Sequence, residues 1–220
     1  MNYENALPND SENARLYARV KSKLNVGEQE QLQLIHAVSS MVIRDKLVPP
    51  KSMEFLAPQG GQEALKISYK KSAGAAEVCT IHKHALTQLA QKVDLPVIFA
   101  AFLNNAGWKR ELLAHNLTTL FHETSFFDRS GQPKFLHRIV GTELRGFLSR
   151  RFNRHIASAP LLRAFIDTCA SMGAFPFEAT ASDVKVALKC MLPHVFEPVK
   201  GEFVCAGVEW SNSDFGAGRM

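Results

Sequence analysis

The sequence lacks the short patterns that identify many enzymes and redox proteins. Its 220 residues contain no G-x-S-x-G, no phosphate-binding loop and no dinucleotide-binding glycine pattern, so these nucleophile and nucleotide sites are excluded. The four cysteines, Cys79, Cys169, Cys190 and Cys205, form no C-x-x-C pair. Cys169 and Cys190 lie in apolar runs, where a free thiol behaves as a small hydrophobic side chain. We therefore expect a reducing, cytoplasmic location.

Long apolar segments are missing as well. The longest run, LPVIFAAFL, is far too short to span a bilayer. The first fifteen residues contain no basic segment followed by an apolar one, so no signal peptide is visible. We predict a soluble protein without a membrane partner.

The composition is that of an ordinary globular chain with a mild basic excess. Hydrophobic residues make up 46% of the sequence and charged residues 21%, and the formal net charge is +5. A positive charge of this size is compatible with a nucleic-acid partner but does not require one. Nothing in the sequence indicates a cofactor.

The pattern of apolar residues predicts an α+β fold, in which an antiparallel β-sheet has helices packed on one face. Residues 1–26 are polar and predict a flexible N-terminal arm. Residues 27–220 predict a single α+β domain with a helical insertion at about 83–123. Before the insertion we expect a helix from residue 27 that the prolines at 49 and 50 end, and an antiparallel meander of three short strands within residues 53–82. The last helix of the insertion should bury a core stripe: Leu112, Leu113, Leu117, Leu120 and Phe121. The chain stops on a glycine-rich turn directly after a strand, so we expect this domain to be incomplete at its C-terminal end.

The segment ELRGFLSRRFNRHIASAP, residues 143–160, combines four arginines with one acid. As a helix it would place Arg145 and Arg151 within the apolar arc, where unpaired charge is costly. We therefore interpret it as a strand that ends near Ser149, an arginine-rich loop, and a helix. Ser158 should cap this helix, Pro160 lies in its first turn, and Gly173 closes it.

A candidate nucleic-acid surface surrounds this segment. Between Ser130 and Arg163 there are seven Lys or Arg residues against one acid, Glu143. The arginine fork can bond two phosphate oxygens, and exposed aromatic rings such as Phe147 or Phe152 can stack on bases. A solvated sheet face with its phenylalanines in the core is the open alternative. The predicted nucleic-acid-binding residues are Lys134, Arg138, Arg145, Arg150, Arg151, Phe152 and Arg154.

The histidines of the sequence do not have the spacing of a metal site. Neither His82 with His84 nor His115 with His122 has the spacing of a helical zinc motif, so we predict no metal ligands and no catalytic residues. A metal-dependent nuclease remains the third hypothesis, and its acids would be Asp128, Glu143, Glu178 and Asp183.

Several segments, from about Met53 to the end, resemble a phage- and plasmid-borne family that is catalogued as domain-of-unknown-function family 932. The family's helix that ends in Leu-Pro is similar to KVDLP here. Its R-x-x-L-S-x-R-[YF] segment is similar to residues 145–152, and its S-N-S-[ED] turn to residues 211–214. Family members usually continue beyond that turn, which implies a truncated chain.

The resemblance implies a mobile genetic element in a bacterial host cell, where accessory proteins often handle DNA. We therefore expect a non-enzymatic nucleic-acid-binding protein, with single-stranded DNA binding or annealing in recombination or replication as the sharpest version. We also expect a homo-oligomer. The alternative is a protein-interaction module that acts on a host target in anti-defence.

Overall fold

The computed structural model describes residues 11–58, 64–70, 76–105, 107–123, 134–152, 157–199 and 202–217. The helices are α1 (Ser11–Ser40), α2 (Lys83–Lys92), α3 (Val97–Leu103), α4 (Gly107–His122) and α5 (Ser158–Ser171). The strands are β1 (Ile43–Val48), β2 (Met53–Leu56), β3 (Lys66–Tyr69), β4 (Glu77–Ile81), β5 (Phe135–Val140), β6 (Glu143–Ser149), β7 (Phe175–Ala181), β8 (Val186–Val199) and β9 (Glu202–Asn212). The predicted α+β class is confirmed.

The chain divides into two compact units, whereas the sequence predicted one domain over residues 27–220. Val42–Arg154 form a central unit, and Met1–Met41 join His155–Met220 in a terminal unit. The division follows from α1, which packs on β7. That contact spans about two thirds of the chain, and no local pattern predicts it.

The central unit is built on a six-stranded sheet with the order β1-β5-β6-β4-β3-β2. Its neighbours are antiparallel except for the parallel pair β4 and β6. The predicted meander of β2, β3 and β4 is confirmed. The sequence missed β1, because its apolar residues also fit a helix that would continue to Pro49; the helix instead ends at Ser40, and residues 43–48 pair with β5.

The sheet curls so that its two edges approach each other. β1 and β2 lie on opposite edges, yet only residues 49–52 connect them. Four residues cannot cross a flat six-stranded sheet, whose strands lie about 4.8 Å apart. The concave interior is therefore narrow, and side chains from strands that are not neighbours meet in it.

Aromatic rings fill the core between this sheet and the helices α2 and α4. Phe121 of α4 lies with its ring centre 5.6 Å from that of Phe55, 5.8 Å from Phe135 and 5.5 Å from Phe147. The predicted core stripe of α4 is confirmed for Leu113, Leu117 and Phe121, which are buried. It is wrong for Leu112, which is exposed.

The terminal unit packs α1 and α5 on the antiparallel sheet β7-β8-β9. Residues 11–26 are helical, whereas the sequence predicted a flexible arm over 1–26; residues 1–10 lie outside the described residues. A Cβ at Gly27 would overlap the carbonyl oxygen of Pro176, so glycine lets the helix approach the strand closely. The Glu30 carboxylate accepts a 2.9 Å hydrogen bond from the Ala179 amide.

Candidate nucleic-acid interface

Three of the predicted basic side chains are exposed at one end of the β5–β6 hairpin. Phe135 pairs with Ser149 across the hairpin, so Lys134 and Arg150 lie at the same end, away from the Gly141 turn. Strand β6 ends at Ser149, as predicted. Lys134, Arg150 and Arg151 are exposed, and we call these three residues the basic end.

A tight turn presents the two arginines of the basic end. The Phe152 amide donates a 3.0 Å hydrogen bond to the Ser149 carbonyl, so Arg150 and Arg151 occupy the two central positions of a four-residue turn. Lys51, which the sequence did not single out, is also exposed. It follows the end of β1, and Val48 of that strand pairs with Phe135.

Arg138 lies inside the structure, although the sequence placed it on the binding surface. Its side chain is 4% exposed, and its Nε donates to Asp45 Oδ1 at 3.0 Å. Asp45 is its direct partner in the β1–β5 register. Because β1 was not predicted from the sequence, this carboxylate was missed as the partner of Arg138. The ion pair joins two neighbouring strands, so Arg138 has a structural role.

Arg145 is also held by a carboxylate. Its Nε donates to Glu143 Oε2 at 2.7 Å, and the two side chains are 20% and 33% exposed. The register shifts here, since Arg138 faces Gly146 and Ile139 faces Leu144. Arg145 is therefore the extra residue of a β-bulge, and Glu143 masks part of its charge.

The aromatic side chains of this segment differ in access. Phe147 is 1% exposed and lies 4.7 Å from Phe135 between ring centres, so it cannot stack on a base. Phe152 is half-buried, and the Arg138 guanidinium lies 5.3 Å from the centre of its ring. Arg154, also predicted to bind, lies outside the described residues.

A polar network in the concave interior was missed entirely by the sequence. Tyr69 Oη lies 2.8 Å from His137 Nδ1, and Lys46 Nζ lies 2.9 Å from Glu77 Oε2 and 3.8 Å from the centre of the Tyr69 ring. Arg44 forms a second ion pair with Glu77. These residues come from β1, β3, β4 and β5 and lie within apolar alternations, so only the curled sheet brings them together.

The network has a definite charge state. The hydrogen bond from Lys46 holds the pKa of Glu77 below its usual range, which keeps that carboxylate ionised. Burial lowers the pKa of His137 to about 3, so its imidazole is neutral, and burial raises the pKa of Tyr69. A neutral phenol beside a neutral imidazole joins β3 to β5 as a structural hydrogen bond.

The histidines considered as metal ligands have other partners. His82 Nδ1 accepts a 3.2 Å hydrogen bond from the His84 amide and caps α2. His122 Nε2 donates to the Met53 carbonyl at 2.7 Å. Across the described part of the chain, no three His, Cys, Asp or Glu side chains are grouped as a metal ion would need.

Of the nuclease acids, Glu143 and Glu178 are each bonded to a cation, Asp183 lies in the terminal unit and Asp128 lies outside the described residues.

The S-N-S-D turn has a structural role in the terminal unit. Asp214 Oδ1 accepts a 2.9 Å hydrogen bond from the Ser158 amide and so caps α5. Asn212 Nδ2 donates to Ser158 Oγ at 3.1 Å, and Ser213 Oγ donates to the Val184 carbonyl. The prediction that Ser158 itself caps the helix is therefore wrong, whereas Gly173 closes it as expected, with φ of 71°.

No protein-family model, curated protein or solved structure matches the chain. Among the described helices, none combines the length and apolar character that crossing a membrane requires.

Proposed function

We propose that the protein binds single-stranded nucleic acid without cleaving it, through the basic end of the central unit. The observation that carries the proposal is the placement of Lys134, Arg150 and Arg151 together at one end of the β5–β6 hairpin, all exposed. The only acid between residues 134 and 152 is Glu143, and it is bonded to Arg145. Within residues 134–152, the exposed positive charge is therefore concentrated at the basic end.

The chemistry of this end favours phosphate over base recognition. A guanidinium group can bond two phosphate oxygens at once. The turn presents Arg150 and Arg151 at its two central positions, which suits the sugar-phosphate backbone of a flexible single strand. Phe152 has one face toward Arg138, and the neighbouring Phe147 is buried. Binding should therefore depend little on base sequence.

The choice of single strands and the biological context rest on the resemblance to the phage- and plasmid-borne family 932. That resemblance supports single-stranded DNA as the substrate class and recombination or replication as the process. The basic end consists of strand ends and a turn, whereas the elements that most often read a duplex groove are helices.

The test is the fluorescence anisotropy of labelled single- and double-stranded oligonucleotides, titrated with protein at several salt concentrations. Three phosphate contacts release counterions, so the plot of log K against log salt should have a slope of about −2 for a single strand. Tighter binding to the single strand with this slope supports the proposal. The absence of binding to both forms at low salt overturns it.

A further inference from the structure

A second surface of the central unit is apolar, and the basic end does not include it. Five large apolar side chains are exposed on two consecutive helices. We call them the α3–α4 patch: Ile98, Phe99, Phe102, Trp108 and Leu112. Ile98 is 86% exposed and Trp108 is 68% exposed. Single exposed apolar side chains are common in soluble proteins, but a cluster of five on adjoining helices marks an interaction surface.

The patch is continuous. The rings of Phe99 and Phe102 lie 6.4 Å apart and nearly parallel. Lys109 bridges the two helices, because its Nζ lies 3.8 Å from the centre of the Phe102 ring and 5.8 Å from that of Trp108.

The helices do not need this face for their own packing. Ala100 and Leu103 of α3 and Leu113 of α4 are buried on the other side. The turn between the helices is fixed by Arg110, whose guanidinium donates two hydrogen bonds, of 3.0 and 2.8 Å, to the Asn104 carbonyl. The patch is therefore held in place by a buried scaffold and is available to a partner.

The chemistry of the patch fits a protein and not a polyanion. Ile98 and Leu112 are aliphatic side chains that neither stack on bases nor bond phosphate, and the positive charge of Lys109 is offset by the exposed Glu111 on the same helix. The five side chains together expose roughly 500–600 Å². A standard interface buries about 800 Å² on each partner, so this patch can supply the apolar centre of one.

The charges at the patch fit a second copy of the same chain. Lys109 and the exposed Glu111 lie two positions apart on α4, at the edge of the apolar side chains. In a two-fold interface the same surface is used by both copies, so the cation of each copy can meet the anion of the other. We propose that two copies of this chain dimerise through the α3–α4 patch. This inference is independent of nucleic-acid binding.

The experiment is sedimentation equilibrium of the full chain, freed of nucleic acid by nuclease and high salt, over a range of micromolar concentrations. The wild type should sediment as a dimer. Ile98→Glu and Trp108→Glu should each weaken dimerisation at least tenfold, because each places a carboxylate in the apolar centre. Leu32→Glu is the matched control, since Leu32 is 66% exposed on α1 of the terminal unit, and it should leave the dimer unchanged.

A charge exchange tests the two-fold pairing. Glu111→Lys alone should weaken the dimer, and combining it with Lys109→Glu should restore it. A monomeric wild type, an unchanged dimer in Ile98→Glu, or equal dissociation in Leu32→Glu would overturn the proposal. A double variant no better than Glu111→Lys would overturn the pairing of Lys109 with Glu111. Circular dichroism on each variant verifies that the fold is retained.

Discussion

The β5–β6 hairpin carries two kinds of arginine that its sequence does not distinguish. Arg138 and Arg145 lie within the strands, and each donates to a carboxylate, that of Asp45 or Glu143. Arg150 and Arg151 lie just beyond the strand, exposed in a turn. A buried guanidinium needs a counter-charge or other hydrogen-bond acceptors, whereas an exposed one is solvated by water. The nearby carboxylates, Asp45 on the neighbouring strand and Glu143 on the same strand, therefore decide which arginines remain available for a ligand.

His137, next to Arg138 on β5, shows the other way to bury a basic group. Arginine keeps its proton under all ordinary conditions, so Arg138 requires Asp45. Histidine can lose its proton, and His137 is neutral in its fully buried position beside Tyr69. Of these two adjacent residues of β5, Arg138 is stabilised in its buried position by an ion pair, and His137 by loss of its proton.

The largest effect should come from removing the partner of Arg138. Asp45→Ala leaves a guanidinium buried without its carboxylate, and the free energy of unfolding of the central unit should fall by about 3 kcal/mol. Urea denaturation measures this loss. Asp167→Ala, at an exposed position on α5, is the control and should change stability little. Unaltered stability in Asp45→Ala would show that the ion pair does not hold β1 to β5.

Acid should destabilise the fold through His137, which is buried in its neutral form, and not through Arg138, which stays charged. The pKa of His137 is about 3 in the folded protein and about 6.5 in the unfolded chain. Between these values the unfolded state binds the proton and the folded state does not, so stability is lost as the pH falls from 6.5 toward 3. From pH 6.5 to 5.0 the expected loss is about 2 kcal/mol.

The comparison variant for this experiment is His137→Asn, which keeps a polar group near Tyr69 but does not titrate. Between pH 6.5 and 5.0, the unfolding free energy of this variant should fall less than that of the wild type. The difference should be the loss of about 2 kcal/mol that we assign to His137. Glu77, whose pKa is lowered by Lys46, loses its stabilising charge only at lower pH. Identical pH profiles for the wild type and His137→Asn would mean that His137 is not buried in its neutral form.

The smallest effect should come from neutralising Glu143, the carboxylate that is bonded to Arg145. In Glu143→Gln, Arg145 loses its counter-charge but is already 20% exposed, so stability should fall by less than about 1 kcal/mol. Removal of this negative charge makes the hairpin more attractive to phosphate, so binding to a single-stranded oligonucleotide should strengthen by about twofold to threefold, with a salt slope steeper by about 0.7. Weaker binding would indicate that Glu143 orders the interface.

The elements predicted correctly are those whose signals are local. Strand β6 was recognised because a helix would have buried Arg145 and Arg151, and α5 because Pro160 and Gly173 mark its ends. Strand β1 was missed because it forms only by pairing with residues about ninety positions away. The same distance separates Arg138 from Asp45, so no reading of residues 143–160 could show that Arg138 is paired.

The candidate site was predicted in part for the same reason. Exposure of Lys134, Arg150 and Arg151 follows from their place beyond the strand ends, which alternation indicates. The burial of Phe147 depends on Phe121 of α4, and the exposure of Leu112 depends on which face of α4 meets the sheet. Both are properties of tertiary packing, which the sequence pattern leaves open.

The binding of Arg150→Ala/Arg151→Ala to a single-stranded oligonucleotide tests the central claim most directly. The control is Arg163→Ala/Lys185→Ala, which removes the same charge from two exposed positions of the terminal unit. We predict that the first variant binds at least about tenfold more weakly, with a salt slope shallower by about 1.4, and that the control binds like the wild type. Equal weakening in both variants, or none in the first, would contradict a binding surface at the basic end.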